Sequence, residues 1–308
     1  MPEGLKPQGP RLAEVVEETG AVVIVSGDPC YGACDLAVQE AEGLKADLIV
    51  HYGHSQLSSR PEHVPVVYIE AKSTITLKAA VENALPLLRT SNRVGLVTTV
   101  QHAERLDEAK AALLAAGKSV AVGDSGRLKY AGQVIGCDYS NARAIVNEVD
   151  SFLFVGGGRF HAIGVALATS KPTVVADPYE ARAYSVDHGA ERIRKQRWAS
   201  IEEAMRAERF GVLIGLKYGQ KRLEKALEIS KRLKAAGKMP TLLAIGEVTP
   251  DSLMQYPTIH AYVNTACPRI SLDDATKFHK PVLTTNEALV IAGEITWERL
   301  LKKGWFEE

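Results

Sequence analysis

The sequence predicts an α/β fold: three repeated Rossmann-like units, each with a parallel sheet. Three observations predict it. Short apolar runs alternate along the chain with stretches whose apolar residues recur at helical spacing. Segments of the first third recur in the second, and others of the second recur in the third. Three of the four cysteines, Cys34, Cys137 and Cys267, fall one per third, each just after an apolar run and about a small domain apart.

In chain order, strands are expected at 21–26, 47–52 and 66–69, then 93–98, 151–155 and 173–176, then 211–215, 241–245 and 260–263. Stretches 105–116 and 221–236 carry apolar residues at helical spacing with charges between, as surface helices do. Cys34-Asp35 opens a helical stretch that reaches Asp47 and closes at Gly53; Cys137-Asp138 opens one that reaches Asp150 and closes at Gly156, without a gap. The strand–helix stretches 93–118 and 209–238 end alike, in Ala115-Ala116-Gly117-Lys118 and Ala235-Ala236-Gly237-Lys238. Lys171-Pro172 and Lys280-Pro281 echo each other in turn. Cuts near 90 and 205 respect these echoes and give units 1–90, 91–205 and 206–308. Cys267 follows the strand equivalent to 151–155, so it is out of register with Cys137. All three cysteines are expected at carboxyl ends of strands, where open α/β sheets place ligands.

Lys+Arg and Asp+Glu both total 37, so the net charge is zero and no basic field draws in nucleic acid or anionic lipid. No apolar run approaches the length that crosses a bilayer, and the first residues lack a signal-peptide pattern. Four cysteines in 308 residues argue against a disulfide framework and for a reducing cytoplasm. There, thiols with a role are ligands or catalysts. Zinc is usually marked by close ligand pairs; Cys30 and Cys34 form one C-x₃-C, but no second pair exists. The C-x₃-C-x₂-C run of ordinary radical enzymes fails at Ala37. Three distant thiolates can instead hold three irons of a cubane and leave the fourth open to substrate. The competing reading is that each cysteine is a small buried hydrophobe. That is the expected role of Cys30, a structural or spare thiol without a counterpart in the other thirds.

Gly156-Gly157-Gly158 ends a strand, where bare amides can approach a carboxylate or ribose, or simply make a permissive turn. Beside it, Arg159 and His161 are candidate partners for a ligand carboxylate, or else a solvated Arg and a satisfied surface His. Asp177, Lys217 and Glu247 follow other strands and complete the expected cleft. His51 and His54, flanking Gly53, are expected to be structural or substrate-facing. The charged run 191–197 is expected to be a solvated helix face.

Three segments carry a resemblance: 26–35, which includes Tyr31-Gly32-Ala33-Cys34; 156–161; and 264–274, which includes Ala266-Cys267-Pro268-Arg269. They resemble the diphthamide-synthesis family, most closely its archaeal homodimeric form, and the resemblance covers nearly the whole chain. It implies that Cys34, Cys137 and Cys267 ligate one [4Fe-4S] cluster, with S-adenosylmethionine as cosubstrate. It further implies radical transfer of the 3-amino-3-carboxypropyl group to a histidine of translation elongation factor 2. An electron donor, a homodimer and cosubstrate contact by the 156–161 segment follow from it, with Arg159 and His161 meeting the cosubstrate carboxylate or the incoming imidazole. Asp177, Lys217 and Glu247 are assigned to the same site by their place at strand ends alone. Two rivals stay open: a quinolinate synthase-like enzyme using its open iron as a Lewis acid, and a non-enzymatic iron–sulfur or nucleotide-binding scaffold.

Overall fold

The structure, a computed structural model, describes residues 1–57 and 64–306. It divides into two compact units, residues 1–72 with 217–219, and residues 73–216 with the chain from 220 onward. Among the described residues, no helix is long and apolar enough to cross a membrane.

The first unit holds two parallel strands, β1 (Ile49–Tyr52) and β2 (Val66–Ile69), paired from Ile49↔Val66 to Tyr52↔Ile69. Leu36, Val38, Ala41, Ile49 and Val64 form its small core, with Tyr218 packed against it. The expected strand at 21–26 is not there. The run forms no regular element and has no strand partner among the described residues, and Val22 and Ile24 are 92% and 64% exposed. β-branched residues favour extended backbone, but a strand also needs a neighbour to take its hydrogen bonds.

The second unit contains two sheets. One comprises β3 (Arg93–Thr98), β4 (Ser119–Ala121), β5 (Ser151–Val155), β6 (Thr173–Asp177) and β7 (Arg182–Ser185), in the order β4-β3-β5-β6-β7. All its pairs are parallel except β6–β7. The other comprises β8 (Arg209–Gly215), β9 (Met239–Ile245), β10 (Ala261–Asn264) and β11 (Val282–Thr284), all parallel, in the order β11-β10-β8-β9.

The strand pattern sets the two faces of each sheet. In β5, Phe152 and Phe154 enter one core while Leu153 and Val155 enter the core on the other face. Both faces are buried, which is why the sequence reads as a continuous apolar run rather than an alternation. In β8, Phe210, Val212 and Ile214 likewise face away from Leu213. The helix Asp187–Met205 serves two cores: Ala190 and Ile193 pack in the core that holds Phe152, and Ile201 and Ala204 in the one that holds Phe210.

Sheet order also fixes where a ligand can sit. Chain direction through the first sheet reverses between β3 and β5, and through the second between β8 and β10. Loops after neighbouring strands diverge at such points and leave a crevice at their carboxyl ends. β5 leads into Gly156-Gly157-Gly158, and β10 leads into Thr265-Ala266-Cys267.

Candidate functional site

In the second unit, Cys137 sits in a tight turn. Ile135 and Asp138 exchange backbone hydrogen bonds, both at 3.2 Å. The Asp138 carboxylate accepts from Ser140 N at 2.9 Å and from Arg127 Nε at 3.0 Å, joining the turn to the helix Ser140–Ala144. The strand-like run expected before Cys137 is reduced to isolated bridges, of which Gln133 with Thr98 at the end of β3 joins it to the sheet. That bridge is enough to hang the Cys137 turn at the carboxyl edge of the first sheet.

Cys267 is set by Asn264, a buried residue at the end of β10. Asn264 Nδ2 donates to Cys267 O at 2.7 Å, and its Oδ1 accepts from Ala266 N at 2.9 Å, so one amide clamps the loop. Pro268, with no N–H to leave unsatisfied, then starts the helix Pro268–Leu272. Cys137 lines the same small cleft as Asn264, Thr265, Ala266 and Pro268, with Trp305 at its wall. Both thiols also act on the buried Tyr139, whose hydroxyl is pushed well above its ordinary pKa by burial first and by neighbouring Cys137 next.

Arg269 ties these segments together. Its guanidinium lies 3.9 Å from the centre of the Phe160 ring, a cation–π contact onto the segment that carries Arg159 and His161. The Phe160 ring fills the space left by the missing side chain of Gly136, next to Cys137. Thus 136–138, 156–161 and 264–274 come together within one unit, although the expected cleft assigned Arg269 no part.

The other expected residues are placed as follows. Asp177 is buried, and its Oδ1 accepts from Tyr179 N at 3.0 Å and its Oδ2 from Gly158 N at 3.4 Å, so it shapes the glycine loop. Gly158 has φ +79, a conformation in which a side chain would be strained. Arg159 stacks over Tyr184 at 5.3 Å, and His161 stacks on Phe154 at 5.9 Å between ring centroids. Glu247 is half-buried, with its backbone carbonyl accepting from Ser252 Oγ at 3.4 Å. His102, near Gly156, was missed by sequence reasoning: it is fully buried, and neither ring nitrogen has a hydrogen-bond partner among the described residues. Burial lowers its pKa, favouring a neutral imidazole.

In the first unit, Cys34 is held by the segment 217–219. Gly219 N donates to Cys34 O at 2.7 Å, and Lys217 Nζ pairs with Asp35 at 2.8 Å while lying 4.5 Å from the centre of the Tyr31 ring. Asp35 also accepts from Tyr31 N at 3.2 Å, closing the turn around Cys34. The repeated Cys-Asp pair thus has one local logic: in both places the carboxylate organises the turn that carries the thiol. Lys217 is engaged here as a positioning group.

One expectation needs correction here. Arg197, placed in a solvated face, is 0% exposed and pairs with the equally buried Glu287 at 2.6 Å. Its partner lies ninety positions away in sequence, so no local pattern could reveal it. Cys30, read as a structural or spare thiol, is buried and lies beside His51 and His54, with all three potential ligand atoms within 4.8 Å of one another. Burial keeps both imidazoles neutral, with pKa values lowered to about 3 for His51 and about 4 for His54.

Comparison with known proteins bears on this arrangement. The model of a family described as putative diphthamide synthesis proteins matches residues 1–301. The chain is 37% identical over 294 residues to 2-(3-amino-3-carboxypropyl)histidine synthase of Pyrococcus horikoshii, covering 95% of this chain and 84% of that one. It is 32% identical to subunit 1 of the Gallus gallus enzyme of that name, covering 97% of this chain and 73% of that one. The crystal structure of Dph2 from Pyrococcus horikoshii with a 4Fe-4S cluster superposes with a TM-score of 0.88 at 35% identity, covering 99% of this chain and 87% of that one.

Proposed function

We propose a function from one premise: this chain belongs to the diphthamide synthesis family. It is a 2-(3-amino-3-carboxypropyl)histidine synthase, which transfers the 3-amino-3-carboxypropyl group of S-adenosylmethionine to a histidine of translation elongation factor 2. The observation that carries this reading is the meeting of Cys137 with the Cys267 loop in one cleft beside the glycine loop. Each of the stretches 1–90, 91–205 and 206–308 supplies one thiolate to a [4Fe-4S] cluster: Cys34, Cys137 and Cys267. The donor set fits, since all three are half-buried thiols outside any disulfide and on constrained turns, and soft thiolates suit iron–sulfur centres.

When bound, such a cluster supplies the electron that cleaves the bond between sulfur and the aminocarboxypropyl carbon. The chain's own residues bind and orient. Gly156, Gly157 and Gly158 present bare backbone at the crevice, held in shape by Asp177, and His102 offers a neutral imidazole beside them. Arg159 and His161, next to the loop, would meet the cosubstrate carboxylate and the incoming imidazole, and Glu247, which follows β9, is assigned to the same cosubstrate site. Lys217 holds the Cys34 turn through Asp35. Which of three carbon–sulfur bonds breaks is decided by orientation, so rigid loops matter more than a strong acid or base.

The partners are elongation factor 2, an electron donor in a reducing cytoplasm, and a second copy of the chain. The exposed apolar run with Val22 and Ile24 supplies surface for association. The test is anaerobic incubation of the reduced, iron-loaded protein with S-adenosylmethionine and no acceptor. Products derived from the aminocarboxypropyl group, with methylthioadenosine left behind, support the proposal. 5′-Deoxyadenosine, or no cleavage at all as a quinolinate synthase-like enzyme would give, overturns it.

A further inference from the structure

The first unit contains a second set of soft ligands, distinct from the proposed cluster thiolates. His51 lies on β1, and Gly53, at φ +111 and packed against Pro2, turns the chain so that His54 comes back beside it. His51 Nε2 and His54 Nδ1 are 2.9 Å apart, and the rings stack at 5.2 Å between centroids. Cys30 comes from a loop some twenty residues earlier and brings its thiol within 4.8 Å of both nitrogens. The cysteine and His51 are 7% and 3% exposed.

We propose that Cys30, His51 and His54 bind one divalent transition-metal ion of the zinc class, separate from the iron–sulfur site. Three arguments converge on it. The donor set, one thiolate and two imidazoles, is the borderline-soft mixture that suits Zn²⁺ and includes no hard oxygen ligand. The spacing fits: Zn–S and Zn–N bonds of about 2.3 and 2.0–2.1 Å put tetrahedral ligand atoms roughly 3.3–3.6 Å apart. Changes in separation of about 1.2 Å or less bring the three atoms to that geometry. Finally, the contacts of the Cys30 thiol are ones a metal ion can replace: its Sγ reaches the carbonyls of Gly32 and Asp35, at 3.7 and 3.6 Å, and hydrogen-bonds with the terminal amino group of Met1.

Three protein ligands leave one position for water. The Glu3 carboxylate, which accepts from Cys30 N at 3.0 Å, adds negative charge beside the site. Such an ion ties the loop 27–35 to the end of β1. That loop also carries Cys34, so the site has a mechanical use: it anchors the turn on which a cluster ligand sits. On binding, the thiol releases its proton to solvent and both imidazoles coordinate as neutral ligands, with no redox change.

The experiment is metal analysis of the full-length protein after incubation with Zn²⁺ and desalting, with iron counted in the same samples. The wild-type chain should hold about one zinc in addition to its iron. Cys30→Ser and His54→Ala should lose the zinc and retain the iron, whereas Cys34→Ala should lose iron and retain zinc. Co²⁺ in place of Zn²⁺ gives a second readout that needs no variant to fold: thiolate-to-cobalt charge-transfer absorption in the wild-type protein. Absence of both zinc retention and that band overturns the proposal, as does full zinc retention by Cys30→Ser. The opposite responses of Cys30 and Cys34 keep this test separate from the function proposed above.

Discussion

Replacing Arg197 with Met should destabilise the second unit and loosen the Cys267 helix together. The guanidinium makes four hydrogen bonds, all buried: two to the Glu287 carboxylate at 2.8 and 2.6 Å, one to Ser271 O at 2.6 Å and one to Val282 O at 2.9 Å. Ser271 lies in the helix that starts directly after Cys267, and Val282 begins β11. Glu287 in turn accepts from Trp305 Nε1 at 2.8 Å and from Thr284 N at 2.8 Å, the latter as part of a capping box. Met keeps the apolar length and helix propensity but strands a buried carboxylate and two carbonyls. Removing one partner of such a pair costs about 3–5 kcal/mol. With an m value of about 4 kcal/mol/M in guanidinium, the unfolding midpoint should fall by roughly 1 M. Tryptophan fluorescence is the assay. All three tryptophans surround this network: Trp198 packs on Trp297 at 4.9 Å, and Trp297 on Trp305 at 6.0 Å. A midpoint unchanged from wild type would refute the reasoning. So would an Arg197→Ala variant as stable as wild type, since it restores neither charge nor volume.

Gly219→Ala should displace the Cys34 turn, because a Cβ there would stand 2.6 Å from both Cys34 Cα and its carbonyl oxygen. Overpacking of this kind costs about 1–3 kcal/mol, and the iron content of the purified protein should drop; unchanged iron and stability would show that the turn yields freely. Asp273 has a pKa raised to about 6, because burial outweighs the Arg269 charge 3.5 Å away. A carboxyl that folding holds protonated favours the native state at low pH, and this contribution is lost as pH rises from about 4 through 6. Asp273→Asn should therefore be more stable than wild type at pH 7, by up to about 3 kcal/mol for a shift of two units, and no more stable at pH 4. Equal stability of the two proteins at both pH values, measured by denaturant titration, would contradict the assignment.

The parallel sheets were legible because buried strands such as Ser151–Val155 announce themselves as continuous β-branched and aromatic runs between Gly and Asp. The same rule misread 21–26, whose composition is as strand-like but which has no strand to pair with among the described residues. Arg182–Ser185 went unnoticed for the converse reason: a short, half-exposed antiparallel edge strand has little apolar pattern to show. At the site, motif segments were visible, but what joins them was not. Arg269 reaches Phe160, Asn264 clamps Cys267 and Arg197 finds Glu287 through contacts set by topology rather than by spacing. His51 and His54 were seen as a pair, but only the fold brings Cys30 to them.

The central claim is that this chain moves an aminocarboxypropyl group rather than a methyl or a deoxyadenosyl group. The measurement is transfer of label from S-adenosylmethionine, carried in its aminocarboxypropyl carbons, to purified archaeal elongation factor 2 with reductant under anaerobic conditions. The account predicts label on the factor, its loss when the target histidine is replaced, and its loss with Cys34→Ala, Cys137→Ala or Cys267→Ala. Label arriving from the methyl carbon instead, or transfer that survives all three cysteine substitutions, would contradict it.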